Sequence, residues 1–184
     1  MNGPTDAELM RDAAKGSEIA FAGIVRRYQD VLLNFFLRSG VSFADGQDLA
    51  QRTFLRLWRY RKKYKTDGAK FTTFLFMLAR QESIDFFRAE TRRRVQEESL
   101  VQAVGELAPA TGTGAAALSF GDAVRRAMRR LTPTLREAVE LVVFQDMPYA
   151  EAGQVLGVPL GTVKSRMSNA LKRLKELLGH ECRC

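Results

Sequence analysis

Two cysteines and one histidine in 184 residues leave little material for disulfides or metal ligands within a fold. All three lie in the terminal GHECRC, as His180, Cys182 and Cys184. They read either as an incidental tail or as a soft metal clip or thiol sensor, and three ligands leave a tetrahedral site incomplete; no metal site is expected. No segment approaches the roughly 20 consecutive apolar residues that span a bilayer, so no membrane insertion is expected. The opening MNGPTDAELMRDAAKG has no apolar run suited to a signal peptide, which points to a cytoplasmic protein. Runs of alternating β-branched residues are missing, which argues against a sheet. A phosphate-cradling glycine loop is missing too, and no histidine stands in the body of the chain, so neither an enzyme nor a bound cofactor is expected.

What the chain does have is positive charge and helical periodicity. The formal net charge is +8, divided as +7 over residues 1–95, −3 over 96–120 and +4 over 121–184. Two basic blocks thus flank a stretch with no Lys or Arg, a distribution suited to a polyanionic partner. Within that stretch, ELAPATGTGAAALSFG (106–121) lacks any period and reads as a linker. The expected organisation is all-α, with two small helical domains, 1–95 and 121–184, joined by a flexible linker over 96–120 that holds them apart.

In the first block Ser17 caps a helix bearing Phe21, Ile24, Val25, Tyr28, Leu32, Phe35 and Phe36 at three- and four-residue spacing, ending near Gly40. The residues before Ser17 leave room for a shorter helix. Ser42 and Asp45 open a second helix with Ala50, Phe54, Leu57 and Trp58 inward and Asp48, Gln51, Arg52 and Leu55 outward. A third begins at Thr72 and runs to the TRRR of 91–94, with Leu75, Leu78, Ala79 and Phe86 inward. The run WRYRKKYK (58–65) interleaves aromatic and cationic residues, which suits either a solvated helix end or contact with a single strand.

In the second block Val124, Ala127, Met128 and Leu131 mark one helix, and Leu135, Val139, Val142 and Val143 the core of the next. YAEAGQVL then stops at Gly157, and GVPLGTV leads into GTVKSRMSNALKRLKELL (161–178). In this last helix Val163, Met167, Ala170, Leu171, Leu174, Leu177 and Leu178 fall within about a third of the circumference. A short helix, a glycine turn and a second helix with a polar outer face have the form of a helix-turn-helix. Thr162 suits a phosphate at the helix start. Gly161, Ser165 and the residues around them supply small or hydrogen-bonding groups on the outer face, Lys164, Ser168 and Asn169 suit base edges in a major groove, and Arg166, Lys172 and Arg173 the flanking backbone.

Together, DLAQRTFLRLW (48–58), FTTFLFMLARQESIDFFR (71–88) and YAEAGQVLGVPLGTVKSRMSNALKRLKELL (149–178) resemble an extracytoplasmic-function (ECF) sigma factor, the two-domain type of bacterial transcription initiation factor. The resemblance implies that Asp48, Gln51 and Leu55 meet core RNA polymerase. It places an unpaired minus 10 base against residues 65–70 and Gln81, among them Lys65 and Lys70, with Arg80 and Arg88 near the strand. It assigns minus 35 duplex reading to Lys164, Ser165, Ser168 and Asn169, and implies control by an anti-sigma factor. The chain departs from the family pattern at Arg52 for Glu, Gln81 for Asn, Phe74 for Trp, Pro148 for a capping Ser, and Ala152-Gly153 for Ile-Ala.

Overall fold

A computed structural model describes residues 3–64, 70–104 and 120–181. Lys65, Cys182 and Cys184 lie outside the described residues, as does the side chain of His180. Among the described residues the chain is helical without strands: α1 (Asp6–Ala14), α2 (Glu18–Arg38), α3 (Phe43–Tyr60), a 3-10 turn (Arg61–Lys63), α4 (Phe71–Val104), α5 (Phe120–Arg129), α6 (Pro133–Val139), α7 (Tyr149–Leu156) and α8 (Leu160–Glu181).

The ends of these helices follow local chemistry. Thr5 and Glu8 form a reciprocal capping box at α1, while the Ser17 and Ser42 hydroxyls accept from the amides of Ala20 and Asp45 at α2 and α3. Such caps supply partners for amides that the helix itself leaves open, each contributing about 1 kcal/mol. No Gly or Pro interrupts the chain between Arg94 and Val104, and α4 continues beyond the expected end to Val104.

Helices α1 to α4 form a front bundle around Ile24, Leu32, Phe36, Leu49, Leu57, Leu75 and Phe76, all essentially buried. Each such side chain contributes roughly 1.5–3 kcal/mol of burial. Leu49 and Thr53 belong to the inward face of α3 although the expected stripe omitted them; Thr53 is accommodated there because its hydroxyl donates to the Leu49 carbonyl at 2.7 Å. Trp58 is only half-buried, packed against Phe21 with ring centroids 4.9 Å apart.

Helices α5 to α8 form a rear bundle around Met128, Leu131, Val139, Leu141, Ala152, Val163, Met167 and Ala170. Two core expectations are corrected here. Val143 is 53% exposed, because α6 passes into a π-helical turn at Glu140–Phe144, closed by the Gln145 amide on the Glu140 carbonyl. The wider turn shifts the helical phase by about one residue and carries Glu140 and Leu141 inward instead. Leu171 is also 53% exposed, since it occupies the outer margin of the α8 stripe, beyond the reach of the packed helices.

The third correction concerns how the bundles sit. They are not held apart: α4 packs along α7, and the end of α2 meets α5. Arg38 of α2 donates twice to Glu140, from Nε at 2.6 Å and from Nη2 at 2.7 Å. Its guanidinium also lies 4.5 Å over the Phe144 ring.

Candidate functional site

Polar groups on α8 separate cleanly by angle. Taking Val163 as zero and ~100° per residue, the buried Val163, Met167, Ala170 and Leu177 lie on one arc, and Lys164, Ser165, Ser168, Asn169 and Lys172 on the opposite one. Those five are exposed, while Thr162 and Arg166 sit half-buried on the flank. The exposed line from Lys164 to Lys172 is about 12 Å long, a length that fits a major groove. The Ser165 hydroxyl donates back to the Thr162 carbonyl at 3.0 Å, so it faces outward chiefly as an acceptor.

The turn before α8 is set by two glycines. Gly157 ends α7 with φ +66°, a left-handed conformation that side chains rarely adopt. Gly153, on α7, stands where an added Cβ would lie 2.9 Å from the Val158 carbonyl oxygen. That close approach lets α7 and α8 meet with Val163 buried between them.

On the front bundle, Gln51 and Leu55 line a groove of about 540 Å³ between α2 and α3, together with Phe21, Val25, Phe54 and Trp58. Leu55 is 57% exposed, and Asp48, two turns earlier, is exposed on the same helix. Ile19 on α2 and Phe43 on α3 are also solvent-exposed, an apolar feature the helical stripes did not single out. A groove with an apolar floor and a carboxylate near one end suits a protein helix bearing apolar and basic residues.

The residues expected at the minus 10 strand lie on or just before α4, but they are not uniformly open. Gln81 donates to Asp85 at 3.1 Å, and Arg88 is exposed two turns further along the same face. Lys70 pairs with Glu151 of α7 at 2.8 Å, and Arg80 meets Glu137 of α6 at 3.4 Å. Thr73 adds a hydroxyl to Glu151 at 3.3 Å. Of the basic run at 58–65, Arg61 is used structurally: it stacks 3.8 Å over the Trp58 ring and donates to the carbonyls of Trp58 and Ala13. Phe87 is the exposed member of the aromatic set on α4, whereas Phe71 and Phe76 are buried.

These cross-bundle carboxylates escaped the sequence reading. Only Glu140 left a trace, as a lone charge among the valines and leucines of AVELVV. It is 1% exposed, and burial raises its pKa against the opposing pull of Arg38 and Gln145. Burial lowers the pKa of Arg136 instead, yet it donates to the carbonyls of Met128, Arg129 and Leu131 and, across the interface, to that of Ser39 at 2.7 Å. Glu140→Gln keeps one carbonyl acceptor but turns an amide N–H toward an Arg38 donor, since Arg38 uses both carboxylate oxygens, and is expected to cost about 1–2 kcal/mol of unfolding free energy. Arg38→Ala strands the carboxylate and is expected to cost about 3 kcal/mol; urea denaturation of both variants checks the contrast.

A helix-turn-helix with a polar outer face, behind a helical bundle with an apolar docking groove, defines a DNA-binding protein that also engages another protein. Residues 24–93 match the family model for sigma-70 region 2, and residues 121–174 that for sigma-70 region 4. The chain is 27% identical to the ECF RNA polymerase sigma factor RpoE of Cereibacter sphaeroides over 86% of each chain. It is 28% identical to the ECF RNA polymerase sigma factor SigK of Mycobacterium ulcerans, over 92% of this chain and 91% of that one. Among solved structures, the sigma factor RpoE in complex with the anti-sigma factor NepR from Bartonella quintana superposes with a TM-score of 0.67 at 25% identity, covering 86% of this chain and 96% of that one. The fold is shared as well by CnrH in complex with the cytosolic domain of CnrY, with a TM-score of 0.71 at 24% identity over 95% and 97% of the two chains. The chain belongs to the sigma-70 family, as an RNA polymerase sigma factor of the ECF type. As such it acts in transcription initiation, with core RNA polymerase and promoter DNA as partners.

Proposed function

We propose that the α2–α3 groove, with Asp48, Gln51 and Leu55, docks on core polymerase, that α4 and the segment before it hold the minus 10 strand, and that the outer face of α8 reads the minus 35 duplex. In this division residues 1–95 form the polymerase and minus 10 domain, 121–184 the minus 35 domain, and 96–120 the connection. Lys65, Lys70, Arg80, Gln81 and Arg88 serve the strand. Lys164, Ser165, Ser168 and Asn169 serve the bases, with Thr162, Arg166 and Lys172 on the backbone. The protein acts in the cytoplasm and catalyses nothing itself. Tethering two modest DNA contacts to one polymerase raises the effective concentration of each, and strand opening is selected by binding energy. An anti-sigma factor that covers the α2–α3 groove would hold the protein inactive.

The observation that carries this reading is the angular separation on α8 of five exposed polar residues from the buried stripe. Transcription in vitro with core polymerase and a promoter library tests it. Start sites preceded by a paired motif are expected; no initiation above core polymerase alone sinks the assignment. Asn169→Ala and Lys164→Ala should each relax preference at one minus 35 position by about 1–3 kcal/mol. Lys172→Ala should weaken all duplexes alike and reduce the salt slope by about 1.

A further inference from the structure

We infer that the cleft enclosed by α2, α4 and α6 is a small-molecule site, which takes an elongated apolar carboxylate bearing a second hydrogen-bonding oxygen at its far end. The cleft has a volume of about 660 Å³, within the range of ligand pockets. It shares no lining residue with the α2–α3 groove and none with α8. Phe35 of α2, Ile84 and Phe87 of α4 and Pro133 of α6 give it apolar walls. Such walls accept a flat or extended hydrocarbon body, and the two phenylalanines favour an aromatic one.

Two observations define what that body must carry. The first is Ser83, which borders the cleft and is only 6% exposed. Its hydroxyl is the one buried side-chain nitrogen or oxygen among the described residues that meets no hydrogen-bond partner. A buried hydroxyl left unpaired is costly, and a ligand oxygen at the inner end of the cleft would supply its partner.

The second observation is charge. Arg88 and Arg92 are exposed on the lining, and neither has a carboxylate partner among the described residues. Arg136 spends its donors on the carbonyls of Met128, Arg129, Leu131 and Ser39, which solvate its charge without cancelling it. Glu137 is the single carboxylate on the lining, and it is held by Arg80 at 3.4 Å. The cleft is thus left positive, and an anion is what it attracts. Along α4, at ~100° per residue, Arg88 and Arg92 stand about 140° and 180° round from Ser83, with Ile84, Phe87 and Thr91 between. A ligand that satisfies both margins therefore bears oxygens at its two ends and hydrocarbon in the middle. Arg88 is also proposed for the minus 10 strand; on that reading ligand and strand exclude one another, although the site itself does not depend on it.

The test titrates the full chain with 6-hydroxy-2-naphthoate, a rigid fluorescent acid whose hydroxyl and carboxylate lie at opposite ends. Binding is followed by fluorescence anisotropy without DNA or polymerase, and saturation with one site is expected below about 1 mM, a range open to a ligand of this size. The unhydroxylated 2-naphthoate should bind wild type about threefold to tenfold more weakly, and Ser83→Ala should erase that preference. Arg88→Gln/Arg92→Gln should weaken both acids about tenfold or more. A variant of equal net charge, Arg26→Gln/Arg59→Gln, changes exposed cations elsewhere on the front bundle and should shift either affinity less than about twofold. The neutral methyl ester of the hydroxy acid should bind about tenfold more weakly than the acid. No saturation by about 1 mM, equal losses in the two arginine variants, a hydroxyl preference that survives Ser83→Ala, or an ester that binds like the acid would each overturn the inference. Because no readout involves promoter or polymerase, any of these results leaves the transcription assignment standing.

Discussion

Leu55→Asp is expected to reduce affinity for core polymerase by about 30-fold or more while the front bundle keeps its helicity and unfolding midpoint. The expectation follows from position. Leu55 is 57% exposed, so a charge there costs the isolated protein little. In the proposed complex the same carboxylate would be pressed into a groove lined by Phe21, Val25, Phe54 and Trp58. Burying an unpaired charge at the centre of an apolar contact costs at least about 2 kcal/mol, which sets the 30-fold figure. Phe54→Ala makes the useful contrast, because Phe54 is 8% exposed and its loss removes core packing as well. Surface plasmon resonance against core polymerase, paired with circular dichroism of each variant, separates the two. If Leu55→Asp binds like wild type, polymerase docks elsewhere.

Gly153→Val is expected to abolish minus 35 duplex binding by dismantling the turn, without touching any residue that faces DNA. A Cβ at this position would sit 2.9 Å from the Val158 carbonyl oxygen and 3.6 Å from a Val163 methyl. The near atom is backbone, so the α7–α8 connection itself would have to move. Alanine already brings that Cβ inside the distance real Cβ atoms keep from a backbone oxygen. Valine adds two methyl groups to a site with Ala152 and Val163 already fully buried beside it. A cost of about 3 kcal/mol or more is expected, enough to leave α8 without a fixed seat. Chemical-shift perturbation in the rear bundle and loss of duplex binding, with the front bundle unchanged, would show this. Duplex binding by Gly153→Val within about threefold of wild type would mean that α8 reads DNA without the packed turn.

The groove and the turn differ in how far they were legible in the chain. The turn was readable because its causes are local: YAEAGQVL, a left-handed Gly157 and the stripe of α8 lie within 30 residues. The Ser17 and Ser42 caps were readable for the same reason. Val143 was misplaced because a π turn changes phase without any marker residue, and the 3.6-residue period was carried across it.

The sequence by itself determined the helices, most of their inward faces, the two basic blocks and the polar arc of α8. Each depends on residues within a few turns of one another, where hydrophobic spacing and capping act directly. Tertiary structure alone decided that the bundles meet, and that Lys70 and Arg80 find Glu151 and Glu137 across 81 and 57 residues of chain. Surface cations and carboxylates carry no period that names a partner. Water satisfies each of them equally well until packing of α4 against α7 brings opposite charges within reach.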